Sequence, residues 1–363
     1  MKLSEIDQNL AVPSKLDIEG LLYRNVLVEE FDIYGLYRTK ETGRFMRMPA
    51  DAAEKVSPGV RDLSVCTAGG RVRFRTDSSY VAVKVKLSGG HRMPHMPFTG
   101  SHGLDLYVFQ GGEDVYQGTF VPPVENPDCY EGVVHLWSRA WREITIHLPL
   151  YSGVEELYIG LEREAGLESG RKYRPVKPVL YYGSSITQGG CVSRPGNNYS
   201  AAIARETNVD FCCLGFSGGA KGEPEMVDYL AGLEASVFVC DYDYNAPSEE
   251  HLSETHFRVY QEYRRKNPDI PVILISRPNI RLDNGADARR RDTIYHTYCR
   301  ALGNGDRRVY YVDGYQLFSG RRRHDSTVDG THPNDLGFFR MAEVIGEVVR
   351  HCLGTVEECS FTD

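Results

Sequence analysis

Two hydrophobic periods divide this chain. In the first half apolar and polar residues alternate. Arg71-Val72-Arg73-Phe74-Arg75 puts Val72 and Phe74 on one face, and Tyr80 to Leu87 does the same with Val81, Val83, Val85 and Leu87. Period 2 marks strands that lay one face on a core. Similar runs at Leu104 to Phe109, Glu143 to Leu148 and Glu156 to Leu161 are separated by clusters of Gly, Pro, Asp and Asn. Short strands with turn residues between them predict an antiparallel sandwich or jelly roll, and no long helix is expected there.

After about Lys172 the pattern changes. Pro178-Val179-Leu180-Tyr181-Tyr182 is an apolar run of the buried-strand kind, and strands are also predicted at Val209 to Leu214, Ser236 to Asp241, Val272 to Ile275 and Arg308 to Val312. Helical patterns lie between and after them, at Tyr199 to Thr207, Glu225 to Leu233, Glu249 to Lys266, Ala286 to Leu302 and Leu336 to Cys352. Alternating strands and helices make βαβ units, hence a parallel sheet with helices on both faces. At 363 residues the chain exceeds one ordinary core. The reading is therefore two domains: an all-β sandwich over residues 1–172 and an α/β domain over 176–355, joined by the Pro-containing stretch from Arg171 to Pro178.

Composition removes several function classes. A net charge of −8 leaves no basic surplus to release counterions from a phosphate backbone, so no nucleic-acid partner is expected. The one dense basic run, Arg321-Arg322-Arg323, reads as a solvated or carboxylate-paired surface. No stretch approaches the ~18 apolar residues of a membrane span. The nine cysteines are scattered without a C-x-x-C, so neither a zinc site nor a disulfide framework is indicated. Met1 to Asp7 contains no apolar leader core. Together with the reduced-looking cysteines, this makes the cytoplasm the expected location.

Open α/β sheets place their chemistry at the carboxyl ends of the strands, and four segments stand there. Gly183-Ser184-Ser185-Ile186-Thr187 follows a strand directly, so Ser185 can expose its hydroxyl at a strand-to-helix junction; a Ser-rich helix cap reads equally well. The glycine two residues on that marks an α/β-hydrolase elbow is absent: Thr187 stands there. Leu214-Gly215-Phe216-Ser217-Gly218 could turn a backbone N–H into a cleft, or simply be a glycine turn. Asn245, in Asp243-Tyr244-Asn245-Ala246-Pro247, could donate its amide to a developing oxyanion or merely form a turn. Finally, Asp329-Gly330-Thr331-His332 places a carboxylate three residues before a histidine, where it can bond Nδ1 and leave Nε2 for the serine. Asp329 and His332 could also ligate a metal, but no companion cluster is visible, and no metal is expected.

Taken in order, these blocks resemble the SGNH, or GDSL-like, hydrolases. The match falls on Ser185, Gly218, Asn245, and His332 with Asp329, within roughly residues 176 to 355. The resemblance implies a flavodoxin-like parallel sheet, a Ser185–His332–Asp329 triad, an oxyanion hole from the N–H groups of Ser185 and Gly218 and the Asn245 side chain, and no cofactor. Two departures stand out: Ser184 replaces the usual aspartate of Gly-Asp-Ser, and the third block reads Asp243-Tyr244-Asn245-Ala246 rather than Gly-x-Asn-Asp. Upstream, Gly103-Leu104-Asp105-Leu106-Tyr107 is similar to the G-x-D-L-Y signature of a sandwich domain that precedes such hydrolases.

That pairing resembles two-domain deacetylases of plant-type oligo- and polysaccharides such as acetylated xylan and mannan. A serine esterase that removes O-acetyl groups from such sugars through an acyl-enzyme is therefore the expectation. The alternatives are an esterase, lipase or thioesterase for other esters, or a carbohydrate-binding protein with a weakened site. Trp137 and Trp141 read as a sugar-stacking face or as partly buried core. His91 and His95, in the loop Gly89 to Pro97, read as cleft-lining residues or as ordinary loop histidines. A flat sandwich face would suit a homodimer.

Overall fold

The structure, a computed structural model, describes residue 12, residues 15–279, residue 281 and residues 285–360. The opening segment read for a leader, Met1 to Asp7, lies outside the described residues. Among the described residues the alternating half forms ten strands: β1 (Leu21–Asn25), β2 (Asp32–Tyr34), β3 (Arg71–Thr76), β4 (Tyr80–Gly90), β5 (Leu104–Gln110), β6 (Glu113–Phe120), β7 (Cys129–His135), β8 (Arg142–His147), β9 (Ser152–Glu162) and β10 (Leu167–Ser169). They make two antiparallel sheets. One runs β1-β9-β4-β7 and the other β10-β3-β8-β5-β6, with β2 also on β3. Apolar residues of the alternating runs, among them Val72, Phe74, Val81, Val83, Leu104, Leu106, Ile144 and Ile159, fill one core between the sheets.

The second half carries β11 (Val179–Gly183), β12 (Phe211–Gly215), β13 (Val237–Asp241), β14 (Val272–Ile275) and β15 (Val309–Val312), all parallel, in the order β12-β11-β13-β14-β15. This is the flavodoxin-like order, with its switch point beside β11. Both faces are covered. Val179 and Tyr181 face the helices Tyr199–Thr207 and Asp335–Ser360, while Leu180 and Tyr182 face Pro224–Ala231, Glu249–Lys266 and Gly285–Gly303. Among the described residues no helix is long and apolar enough to cross a membrane.

The first half is not self-contained. Two short helices, Ala50–Val56 and Pro58–Ser64, belong to it in sequence, yet their Ala53, Val60 and Leu63 are buried in the core beneath Leu180, Tyr182 and Leu214. Polar contacts tighten the junction. β12 is an edge strand, paired with β11 on one side only, and such edges leave a row of unpaired carbonyls. Here the carbonyls of Phe211, Cys213 and Gly215 are taken by arginines of the sandwich half. Arg71 donates to Phe211 O at 3.4 Å, and Arg47 donates to Cys213 O at 3.2 Å and to Gly215 O. Arg71 is fully buried and also pairs with Asp210 and the Tyr173 hydroxyl (2.9 Å). Removing one partner of a buried pair typically costs about 3–5 kcal/mol. Arg71→Ala is therefore expected to lower stability by roughly 3 kcal/mol in urea unfolding. Wild type should lose both halves in one transition; two separate transitions would show that the junction does not couple them.

Candidate active site

β11 ends at Gly183, flanked in register by Gly215 of β12 and Asp241 of β13. The helix Ser185–Gln188 starts directly across these strand ends. It can do so because Gly183 and Gly215 lack side chains: a Cβ at Gly183 would meet Thr187 Oγ1 at 2.1 Å, and one at Gly215 would meet the Gln188 nitrogen at 2.3 Å. Ser184 caps this helix, its hydroxyl accepting the Ile186 N–H at 3.2 Å. The residue that replaces the usual aspartate thus still satisfies a helix-start donor. Ser185, nearly buried, occupies the first helical position, where a backbone N–H has no intrahelical partner.

His332 arrives from the loop before the last helix. Its Nε2 lies 2.9 Å from Ser185 Oγ, and its Nδ1 lies 2.8 Å from Asp329 Oδ2. A carboxylate only accepts, so Nδ1 carries the proton and Nε2 is left to accept the serine hydroxyl. Asp329 is itself held by the backbone N–H groups of His332 (2.7 Å) and Thr331 (2.9 Å). Burial works to raise its pKa, but these hydrogen bonds, led by the His332 ring, outweigh it and hold the carboxyl down at about 2. Asp329 is therefore ionised wherever a histidine can serve as a base, and the stability it contributes above its ordinary value of 3.8 is lost only as pH falls toward about 2.

The expected oxyanion donors meet, but in a different arrangement. Asn245 sits in a short turn after β13, braced by the buried Asp243 carboxylate, which accepts from Arg277 (3.2 Å) and Arg290 (2.8 Å). Its amide bridges the 216–218 turn: Nδ2 donates to Phe216 O at 2.7 Å, and Oδ1 accepts the Gly218 N–H at 3.0 Å. The Gly218 N–H is thus spent on Asn245 rather than open to the cleft, a correction to the expected donor set. One Asn245 amide hydrogen stays available.

The loop read as cleft-lining is divided. His95 reaches the site, with Nε2 3.8 Å from Asp329 Oδ2 and its ring 5.5 Å from that of His332. His91 is exposed, with its backbone N–H donating to Tyr151 O (3.0 Å), and its side chain is not brought to Ser185 and His332. Trp137 and Trp141 do not join the site. Trp137 lies beside His135, which pairs with Tyr80 at the start of β4, whereas Gly90 at the other end of that strand pairs with Ser152 next to the site. Eleven residues of strand put about 30 Å between those ends. Trp141 is at the same far end, just before Arg142, which pairs with Thr76.

Several site residues escaped the sequence reading. Tyr151 of the sandwich half donates its hydroxyl to Ser185 O at 3.2 Å. Asp105, in the G-x-D-L-Y run, is fully buried and binds Arg194 (3.0 Å) and the Gly196 N–H (3.0 and 3.1 Å), in the segment after the helix Ser185–Gln188. Cys191, in that same segment, stands with His95 and His332 in a group that could hold a metal ion. Burial, with the Asp329 charge beside it, pushes the Cys191 thiol up to about 12, so little thiolate is present at neutral pH.

Residues 176–350 match the model of the GDSL-like Lipase/Acylhydrolase family, and residues 21–167 that of the N-terminus of SGNH-hydrolase-type esterases. A protein described as a GDSL-like lipase from Bacteroides ovatus is 28% identical, with a TM-score of 0.83 over 92% of this chain and 98% of that one. A salicylyl-acyltransferase from a tetracycline biosynthetic pathway shares 21% identity at a TM-score of 0.73, over 90% and 96% of the two chains. An acetyl xylan esterase from the rumen bacterium Butyrivibrio proteoclasticus shares the fold at 12% identity and a TM-score of 0.56, over 92% and 99%. No functionally curated protein matches the chain.

Beneath the Ser185 helix, Asp241 is buried and accepts from Thr187 Oγ1 (3.1 Å) and the Tyr199 hydroxyl (3.4 Å). Burial, reinforced by the Asp243 charge, pushes its carboxyl up from 3.8 to about 8 despite those hydrogen bonds. Between these values the folded chain keeps a proton that the unfolded chain has released, so stability from this group falls as pH rises. Asp241→Asn should flatten the loss of stability between about pH 4 and about pH 8, read from urea midpoints; parallel profiles for wild type and variant would show that Asp241 is ionised when folded.

Proposed function

Residues 176–350 belong to the GDSL-like lipase/acylhydrolase family and the chain is an ester hydrolase; on that premise we propose that it removes acetyl groups from oligo- or polysaccharide hydroxyls through an acyl-serine at Ser185. The observation that carries the reading is the continuous hydrogen-bond chain from Ser185 Oγ through His332 to Asp329 (2.9 and 2.8 Å), at the switch point of a parallel sheet.

In the first step His332 Nε2 takes the hydroxyl proton as Ser185 Oγ attacks the ester carbonyl. Asp329 keeps the ring oriented and stabilises the imidazolium. The oxyanion is held by the Ser185 N–H and the uncommitted hydrogen of Asn245 Nδ2, while Gly218 fixes the Asn245 amide in place. The imidazolium then protonates the departing sugar oxygen. Water, deprotonated by His332, attacks the acyl-serine and releases the carboxylic acid with Ser185 restored.

Two features support a small acyl group on a sugar. His95 crowds the base, and a Cβ at Gly190 would already meet Tyr151 Oη at 3.0 Å and His332 Cδ2 at 3.4 Å. The sandwich half reaches the triad with His95, so it can contact the leaving group.

Acetate release from acetylated mannan and xylan oligosaccharides should be seen with wild type and be absent from folded Ser185→Ala. Activity on aryl acetates without any on glycans would keep the esterase and discard the sugar. Asn245→Ala should lower kcat by about 10²–10³-fold with little change in KM, the loss expected for one oxyanion donor. An unchanged kcat would exclude Asn245 from that role.

A further inference from the structure

Cys191 has no part in ester hydrolysis, yet it stands against the catalytic base. Its Sγ, a ring nitrogen of His95 and a ring nitrogen of His332 all lie within 4.8 Å of one another. The backbone at Cys191 is left-handed, with φ 74°, a conformation costly for a residue with a Cβ and concentrated at functional sites. Cys191 as a whole is 4% exposed, whereas the His95 and His332 side chains are 33% and 23% exposed. Sulfur thus forms the floor of the group and the two imidazoles its accessible rim.

We propose that Cys191, His95 and His332 form a binding site for Zn²⁺ whose occupancy switches the enzyme off. One thiolate and two imidazoles suit a borderline-soft ion and not Mg²⁺ or Ca²⁺, which take oxygen ligands. A tetrahedral zinc with Zn–S of about 2.3 Å and Zn–N of about 2.0 Å sets its ligand atoms roughly 3.5 Å apart. The group therefore closes by little more than about 1 Å, within reach of rotamer shifts and of the loop that carries His95. Three protein ligands leave the fourth position to water. On binding, the Cys191 thiol gives its proton to solvent and its sulfur bonds the ion; no electrons are transferred. Both His332 nitrogens are already committed, Nδ1 to Asp329 and Nε2 to Ser185. Whichever one the ion takes, a hydrogen bond of the triad is lost. The inhibition rests on the esterase reading; the metal site does not.

The test has two arms. Metal-free protein is assayed on an aryl acetate during titration with ZnCl₂. Expected are loss of activity, full recovery with EDTA, and at least tenfold weaker inhibition in Cys191→Ser at an unaltered metal-free rate. In the second arm Co²⁺ is added to folded Ser185→Ala. A thiolate-to-Co(II) charge-transfer band should appear there and be missing when Cys191→Ser is added. The band together with a metal-free wild type inactive on aryl acetates would keep the metal site and sink the hydrolase reading. Equal zinc inhibition of wild type and Cys191→Ser, no band with Co²⁺, or loss of wild-type activity in EDTA would overturn the proposal.

Discussion

The capped edge of β12 is the constraint on which the rest of the molecule depends. A five-stranded parallel sheet that ends in an open edge exposes carbonyls that water or another strand would otherwise take. Here they are taken by Arg47 and Arg71, two guanidinium groups that are themselves almost wholly buried. Buried charge is tolerated only when it is hydrogen-bonded, and neither partner in this exchange is satisfied without the other. Arg47 also donates to Leu63 O and lies 4.4 Å over the Phe216 ring, so it ties the short helices of the first half to the turn that carries Gly218. The two halves therefore form one body, and the strand-end loops are held from the side as well as from beneath.

The same logic explains the G-x-D-L-Y run. Leu104 and Leu106 point into the sandwich core, and Asp105 and Tyr107 point the other way, onto the hydrolase half. Asp105 spends both carboxylate oxygens on the segment that follows the helix Ser185–Gln188. That segment contains Cys191, and the loop after β4 brings His95 over the top. The sandwich thus builds part of the site, and its Tyr151 touches the carbonyl of Ser185 itself.

Charge is distributed in the site according to solvent access. Asp329, at the rim and surrounded by donors, is kept ionised. Asp241, under the Ser185 helix with two hydroxyl groups donating to it, is kept neutral. Asp243, equally buried, has two guanidinium groups to face and anchors the Asn245 turn. Three carboxylates within one strand end and one loop thus do three different things, each set by what surrounds it.

What lay within a few residues of chain was legible from the sequence. The helix Glu249–Lys266 and the strand Val272–Ile275 fall where their periods place them, because a continuous period is a local property. Strands β6 and β7 were not legible: Glu113–Phe120 and Cys129–His135 owe their form to their partners β5 and β4. Asp329 and His332 were readable as a pair, since three residues of one turn carry both, and Ser185 was readable at the end of an apolar strand. Their meeting across 147 residues was an inference from order along the chain, and only the sheet's topology decides it. The tertiary structure alone decided that the Gly218 N–H turns to Asn245, that His95 enters while His91 does not, and that Trp137 and Trp141 sit at the wrong end of the sandwich. The reason is physical: sequence periodicity specifies which face a side chain takes, whereas which end of a strand meets which loop depends on packing between distant segments.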